Sequence, residues 1–553
     1  MKKIFYIGML FLTIFILLFS TDIIADNYKF PKITINNGKL YAGGEELLLK
    51  TVGYAGLRPG KDHTDPFTYK EHGYKLMEMD MKRIKEAGFN AIRTWDLGDE
   101  KIIELAEKNG LWVVGGIWTS QKIQLSSNYF TRNSILTIKK RAKKYSKYSN
   151  IAMLLILNEP CPGVLLGQEE EKVKKYFNDI VEAAKEVCPG VPVSFSNWPN
   201  AAFIDTATWD IVSYNIYASS TTIFQKSIGF RGYISGIKNL DPNKKPFFIS
   251  ESTYYSPAPK KLPDDFTASH HVKNENEQSF KTIRDLNDLA QLDLAGFTIM
   301  QWMDNWSVSA IYPQLQHLIK NTSRNKYIHD DINEEWGGLL SLDKDVLGTP
   351  RKVYKDLSKI NQAIVVKPNS EKLYSNKIPI KIYVEDKVKR AVLSIDNKKL
   401  GLLKRVSPHW IEKEISLKFP ASPEIKKLIM KVDLYGEDNS FICAIKRNIW
   451  ICSQNKIPVL EITTTKDKMN WPTFNIKLTD PNGKPVSKAK ITWGILNALN
   501  WKQEEGHLIT DDSGKVSFES PMHGPLLIVG AGYQYSENGF NKKCTDLIYF
   551  KNN

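Results

Sequence analysis

Between residues 33 and 362, short apolar runs alternate with helix-like segments, and the number of those runs constrains the fold more than any other feature. They are "LLLKTVGY" (47–54), "NAIRTW" (90–95), "LWVVGG" (111–116), "AMLLILNE" (152–159), "VPVSFSN" (191–197), "DIVSYNI" (210–216), "PFFISE" (246–251) and "GFTIMQW" (296–302). Each has strand length, and near-continuous apolarity predicts strands covered on both faces, as in a parallel sheet. Eight such units predict an α/β fold of the (β/α)₈ (TIM) barrel type more readily than an open doubly wound sheet. No GxGxxG turn follows the first run, which weighs against a dinucleotide-binding fold.

The segments between the runs carry helical spacing. Leu76, Met77, Met81 and Ile84 recur on one face, with Thr68 and Glu71 placed as a capping box ahead of them and Gly88 as a stop. Asp99 can cap "EKIIELAEKNG", which Gly110 ends. Val173, Tyr176, Phe177, Ile180, Val181, Ala184 and Val187 form another stripe. Asn37-Gly38 predicts a two-residue hairpin before the first run.

With 553 residues the chain exceeds one core. After about residue 362 the alternation of strand and helix gives way to period-two patterning and turn signals such as Pro481-Asn482-Gly483. Two small all-β modules of immunoglobulin-like sandwich size are expected, over 363–455 and 456–553. The barrel is assigned to 33–362. Residues 1–25 read as a signal peptide: Lys2-Lys3, an apolar run over 4–19, then Ala25 as a small residue at a cleavage point. The rival reading is an uncleaved anchor, the only way a membrane enters. Either reading places the chain outside the cytoplasm, whether secreted, periplasmic or at the cell surface.

The net charge of +15 is spread along the chain. Its densest cluster, Lys139 to Lys147, goes round most of a helix surface and reads as a solvated face rather than a polyanion groove. No basic-aromatic motif accompanies it, so no nucleic-acid partner is expected. The five cysteines do not make a disulfide scaffold or a zinc motif, although Cys443 and Cys452 could face each other across a hairpin. Neither a metal nor an organic cofactor is expected, and oligomeric state is left open.

Active sites of such barrels sit at the carboxyl ends of the strands. The fourth run ends in Asn158-Glu159-Pro160 and the seventh in Glu251. A carboxylate at the end of a buried strand is costly unless paired or used. Two of them facing each other across one mouth have the chemistry of glycoside hydrolysis: one acid to protonate the leaving oxygen, one ionised group to attack or activate water.

The motif "NEP" after strand four, with Glu251 after strand seven, resembles the large clan of retaining glycosidases built on a (β/α)₈ barrel, often called clan A. The resemblance extends to Arg93 in "RTW", Tyr217 in "YNIY", Trp302 in "IMQW" and the closing segment over 334–357. It implies Glu159 as general acid and then base, and Glu251 as nucleophile. Asn158 would bind the sugar 2-hydroxyl, Arg93 and Tyr217 would hold Glu251, and Trp302 would form an apolar floor under the sugar. "GGIW" and "YNIY" lack the histidines of the cellulase-like branch; "RTW" and "NEPC" are similar to β-mannanases, and "NIY" to the β-galactosidase and β-glucuronidase group. The family within the clan is therefore unassigned. Trp95, Trp118, Trp198 and Trp306 stand at or past strand ends, where they serve either sugar stacking or packing. The expected function is an exported retaining β-glycosidase or transglycosylase with a carbohydrate substrate, an oligo- or polysaccharide. The alternative is a non-catalytic carbohydrate-binding surface protein on the same barrel.

Overall fold

A computed structural model describes residues 30–56, 58, 69–218, 224, 227–253, 255–257, 272–305, 308–309, 327–328, 336–342, 347–417, 423–466, 471–500 and 502–551. Residues 1–25, read above as a signal peptide, lie outside these residues, as do Thr68 and Trp306. Among the described residues no helix is long and apolar enough to cross a membrane.

Three short antiparallel strands, β1 (Ile33–Asn36), β2 (Lys39–Ala42) and β3 (Glu45–Leu47), open the fold. Asn37 and Gly38 both take positive φ, 47° and 71°, the turn that lets β1 and β2 pair in register from Ile33–Ala42 to Asn36–Lys39. The chain then enters a closed barrel of eight parallel strands: β4 (Leu49–Gly53), β5 (Ala91–Arg93), β6 (Trp112–Gly116), β7 (Ile151–Asn158), β8 (Val193–Asn197), β9 (Val212–Asn215), β10 (Phe247–Ser252) and β11 (Gly296–Ile299). The strands pair in chain order, and β11 closes on β4 from Gly296–Leu49 to Ile299–Val52. All eight predicted runs are barrel strands.

The apolarity of both strand faces follows from this closure. Leu49, Ala91, Val114, Ala152, Met153, Leu155 and Phe248 belong to an inner cluster. Val52, Ile92, Val113, Leu154, Ile156, Ile249 and Phe297 belong to the outer core shared with the helices. Those helices are α1 (Tyr69–Glu86), α2 (Lys101–Lys108), α3 (Asn128–Tyr145), α4 (Pro162–Leu166), α5 (Glu170–Val187), α6 (Gly229–Asn239), α7 (Glu275–Ala290) and α8 (Lys352–Ile360). Asp99 accepts the Lys101 N–H at 2.9 Å at the start of α2. On α3 the basic cluster is a solvated face laced with ion pairs: Lys139–Glu186 at 2.5 Å, Arg141–Asp96 at 2.6 Å and Lys147–Glu100 at 2.9 Å.

Several all-β sheets follow, consistent with sandwich modules after the barrel. A three-stranded sheet (Ala363–Lys367, Lys377–Val384, Trp410–Ser416) faces a five-stranded one that includes Arg390–Ile395, Lys426–Tyr435 and Phe441–Ile451. Ile378, Ile380 and Ile382 from the first meet Leu393, Met430, Val432 and Ile449 from the second. Beyond residue 455 a three-stranded sheet (Val459–Lys466, Pro472–Thr479, Lys515–Glu519) accompanies a four-stranded one ending in Leu526–Glu537 and Phe540–Lys551.

The cysteine expectation is corrected. Cys443 lies inside Phe441–Ile451 and Cys452 directly after it, so the two stand near opposite ends of one strand, ~30 Å apart at the rise of extended chain. The hairpin turn falls before residue 441, not between them, and all five cysteines are free.

Both modules are fastened to the barrel. Lys50, which points outward from β4, pairs with Glu385 at 2.6 Å and donates to the Asn361 carbonyl at 2.6 Å, all buried. The last module meets α6 through glycines on both partners. A Cβ on Gly236 would stand 2.6 Å from Leu547 Cβ, and one on Gly532 would stand 1.8 Å from the Ser227 carbonyl oxygen. Side chains at these positions would hold the surfaces apart.

Candidate active site

Strand ends at the carboxyl side of the barrel bring the predicted residues to one place. The two strands that carry the acids are irregular there. The β7–β8 register shifts between Leu155 and Asn158, and the β10–β9 register between Ile249 and Glu251. Such shifts re-aim side chains at a barrel rim. Glu159 follows β7 in the left-handed region, φ 48°, a conformation that a non-glycine residue holds only where its surroundings over-determine it. Its N–H donates to the Ser196 carbonyl at 2.7 Å, which ties it to β8. Trp198, after β8, donates its indole N–H to the Pro160 carbonyl at 2.9 Å and so anchors the next residue as well.

Glu251 is 5% exposed and held from three directions. Arg93 Nη1 lies 2.5 Å from its Oε1. That contact is an ion pair rather than an aligned hydrogen bond. The Trp95 indole N–H donates to the same oxygen at 2.7 Å, and the Tyr217 hydroxyl donates to Oε2. A positive charge and two donors thus converge on one carboxyl group. The Arg93 guanidinium also lies over the Trp95 ring, 4.2 Å from its centroid.

Arg93 reaches the other half of the site too. Its Nη2 donates to Asn158 Oδ1 at 3.0 Å and to the Ser196 hydroxyl at 3.3 Å. Asn215, the last residue of β9, donates from Nδ2 to Glu159 Oε1 at 2.8 Å and to Asn158 Oδ1 at 3.3 Å. Its own Oδ1 accepts from the Ser250 hydroxyl at 2.7 Å. A continuous polar path therefore runs Glu251–Arg93–Asn158–Asn215–Glu159 across the mouth.

Five of the six predicted positions are thus gathered: Glu159, Glu251, Arg93, Asn158 and Tyr217. Trp302 is not. Its ring is fully buried between barrel and helices, 5.7 Å from the Tyr354 ring of α8 and 6.0 Å from the Arg83 guanidinium of α1. Phe297 and Ile299 already face that outer core, and Trp302 joins them, so it makes no floor for a sugar. Met300 approaches the mouth instead, its Sδ 3.5 Å from where a Cβ on Gly53 would stand.

Trp95, Asn215 and Ser250 are the members that sequence reasoning did not assign. Two glycines seat Trp95. A Cβ on Gly53 would meet the Trp95 ring at 2.7 Å, and one on Gly116 would meet the Thr94 and Trp95 carbonyl oxygens at 2.2 and 2.4 Å. Glycines ending the first and third strands on either side of "RTW" were the available signal. Trp118 stays at the rim, 37% exposed. Among the described residues no group of His, Cys, Asp and Glu is arranged to hold a metal ion.

No protein-family model matches the chain, and no curated protein matches it in sequence. Solved structures similar to it include β-glucuronidase 3 of Bacteroides uniformis, with 16% identity, TM-score 0.43, and coverage of 94% of this chain and 64% of that one. The β-glucuronidase of Parabacteroides merdae matches at 12% identity and TM-score 0.43, covering 94% and 64%. The Bifidobacterium dentium β-glucuronidase complexed with coumarin-3-O-glucuronide matches at 16% and 0.45, covering 59% and 48%. The chain spans less than two thirds of the length of these enzymes, and a likeness at this level says nothing of substrate.

Proposed function

We propose that the chain is a retaining β-glycoside hydrolase or transglycosylase that acts on an oligo- or polysaccharide outside the cytoplasm. The observation that carries this reading is the polar path from Glu251 through Arg93, Asn158 and Asn215 to Glu159, which makes two acids from distant parts of the chain members of one site. The two acids sit in different surroundings, as two different roles require. Glu251 faces a guanidinium and two donors, which hold and orient it for attack. Glu159 Oε1 accepts from the Asn215 side-chain amide.

In this reading the Glu251 carboxylate attacks the anomeric carbon while Glu159 gives its proton to the departing oxygen, leaving a glycosyl ester on Glu251. Glu159, now ionised, takes a proton from water or from a sugar hydroxyl. The resulting oxygen nucleophile attacks the same carbon and frees Glu251. Asn158 Oδ1 is occupied by Arg93 and Asn215, which leaves its amide N–H groups for a sugar hydroxyl.

The test is turnover of a panel of aryl β-glycosides. Glu251→Gln should lower kcat/KM at least about a thousandfold, and azide should restore part of the activity of Glu251→Ala as an α-glycosyl azide. Full activity in Glu251→Gln would remove Glu251 from the mechanism. Added sugar acceptors separate transfer from hydrolysis.

A further inference from the structure

We infer that Asn215 is a positioning residue that confines the acid proton of Glu159 to Oε2, with Ser250 and Arg93 fixing which way its amide points. This rests on the reading of Glu159 as the general acid.

The direction of each hydrogen bond follows from Arg93, which carries only donors. The atom of Asn158 that meets Arg93 Nη2 at 3.0 Å must therefore be its carbonyl oxygen. The atom of Asn215 that meets this same oxygen at 3.3 Å must then be a donor, so it is Nδ2. The other end of the Asn215 amide is consequently the oxygen, and the Ser250 hydroxyl donates to it at 2.7 Å. Ser250 and Asn215 are both buried, so water does not compete for these groups. A flipped Asn215 would set two oxygens against each other at Asn158.

Nδ2 of Asn215, so oriented, also lies 2.8 Å from Glu159 Oε1. In a protonated carboxyl group the carbonyl oxygen is the stronger acceptor, so when Glu159 is protonated the oxygen that faces this N–H, Oε1, is the carbonyl and Oε2 bears the hydrogen. The backbone of the residue is itself fixed: Glu159 is held at φ 48° with its N–H on the Ser196 carbonyl. In the second half of the reaction the same bond leaves Oε2 as the oxygen that receives a proton. Arg93 thus serves both acids, facing the nucleophile directly and setting, through two amides, which oxygen of the acid is active.

The experiment compares Asn215→Ala and Ser250→Ala with the parent enzyme in two ways. The first is leaving-group dependence. A 2,4-dinitrophenyl glycoside needs little proton assistance, whereas an alkyl or saccharide leaving group needs it fully. Asn215→Ala should lose at least about tenfold more kcat/KM on the poor leaving group than on the good one, and Ser250→Ala should follow in the same direction. Equal losses on both overturn the inference while leaving the glycosidase reading in place. The second needs no substrate: infrared difference spectra, with Glu159→Gln as reference, report the carbonyl stretch of protonated Glu159. That stretch should move to higher wavenumber in Asn215→Ala, because Oε1 loses its donor. An unmoved stretch overturns the assignment whatever the kinetics show. A parent enzyme inert on the whole panel overturns the glycosidase reading instead, and the infrared result then still decides where the proton sits.

Discussion

Trp95 donates its indole N–H to Oε1 of Glu251 at 2.7 Å, although the two residues come from the second and seventh strands of the barrel. Arg93 faces the same oxygen, so Oε1 is the neutralised end of the carboxylate and Tyr217 holds the other. Trp95→Phe keeps an aromatic ring at the position but removes the donor, together with the outer indole edge that lies over Gly53. A hydrogen bond to a charged group is worth about 1.5–3 kcal/mol, so kcat/KM should fall about 10- to 100-fold. Circular dichroism should be unchanged. Loss of less than twofold would show that Arg93 and Tyr217 hold Glu251 without help.

The pair Lys50–Glu385 tests how the barrel and the first sheet module are joined. Both side chains are buried, and burial lowers the Lys50 pKa, while the nearby Lys50 charge helps draw that of Glu385 down against its own burial. Lys50→Met leaves Glu385 charged with its nearest cation gone and should cost about 3–5 kcal/mol in denaturant unfolding. Combining it with Glu385→Leu should recover most of that loss. An additive double variant would mean the two groups do not depend on each other.

Asp288, on α7, is predicted to make stability depend on pH. Burial pushes its carboxyl up to about 6, against the attraction of Arg231, with Asp285 and Glu371 adding to the rise. The folded state then holds a proton that the unfolded chain has released between about pH 4 and 6. The stability this group contributes is therefore full below about pH 4, falls as the pH climbs to about 6, and is flat beyond. With 28% of the side chain still open to water, the change should stay near ~2 kcal/mol. Calorimetry should find Asp288→Asn more stable than the parent at pH 7.5 and matched to it at pH 4. A stabilisation that is the same at both values would place its origin elsewhere.

Gly532 offers a separate test of the last module. Its missing Cβ makes room for the Ser227 carbonyl, in the connection between Tyr217 and α6. Gly532→Ala should cost about 1–3 kcal/mol through overpacking. Unchanged melting would show that this contact is loose.

The barrel was legible because its strands are apolar on both faces and carry their polar residues only at one end. Position at a strand end points to Glu159 and Glu251, while Arg93, Asn158 and Tyr217 are read from the resemblance of the motifs around them. Asn215 also ends a strand, but its importance depends on Ser250, a residue of the adjacent strand that reads locally as strand filler. The orientation of Trp302 depends on Tyr354, some fifty residues later, which no local pattern reveals. The cysteine expectation failed for a similar reason: extended chain from 441 to 451 puts the bend before the pair rather than between its members.

The seam between α6 and the last two strands bears on what happens when such a chain is clipped. Gly232 and Gly236 on one side make room for the Thr545 and Leu547 side chains, and Gly530 and Gly532 on the other for the Phe224 and Ile228 side chains and the Ser227 carbonyl. A protease that removed everything past residue 455 would bare this shelf together with Phe224 and Ile228, now both sealed from water. The shortened product should therefore clump, and the tail is better regarded as a wall of the barrel than as an attachment to it.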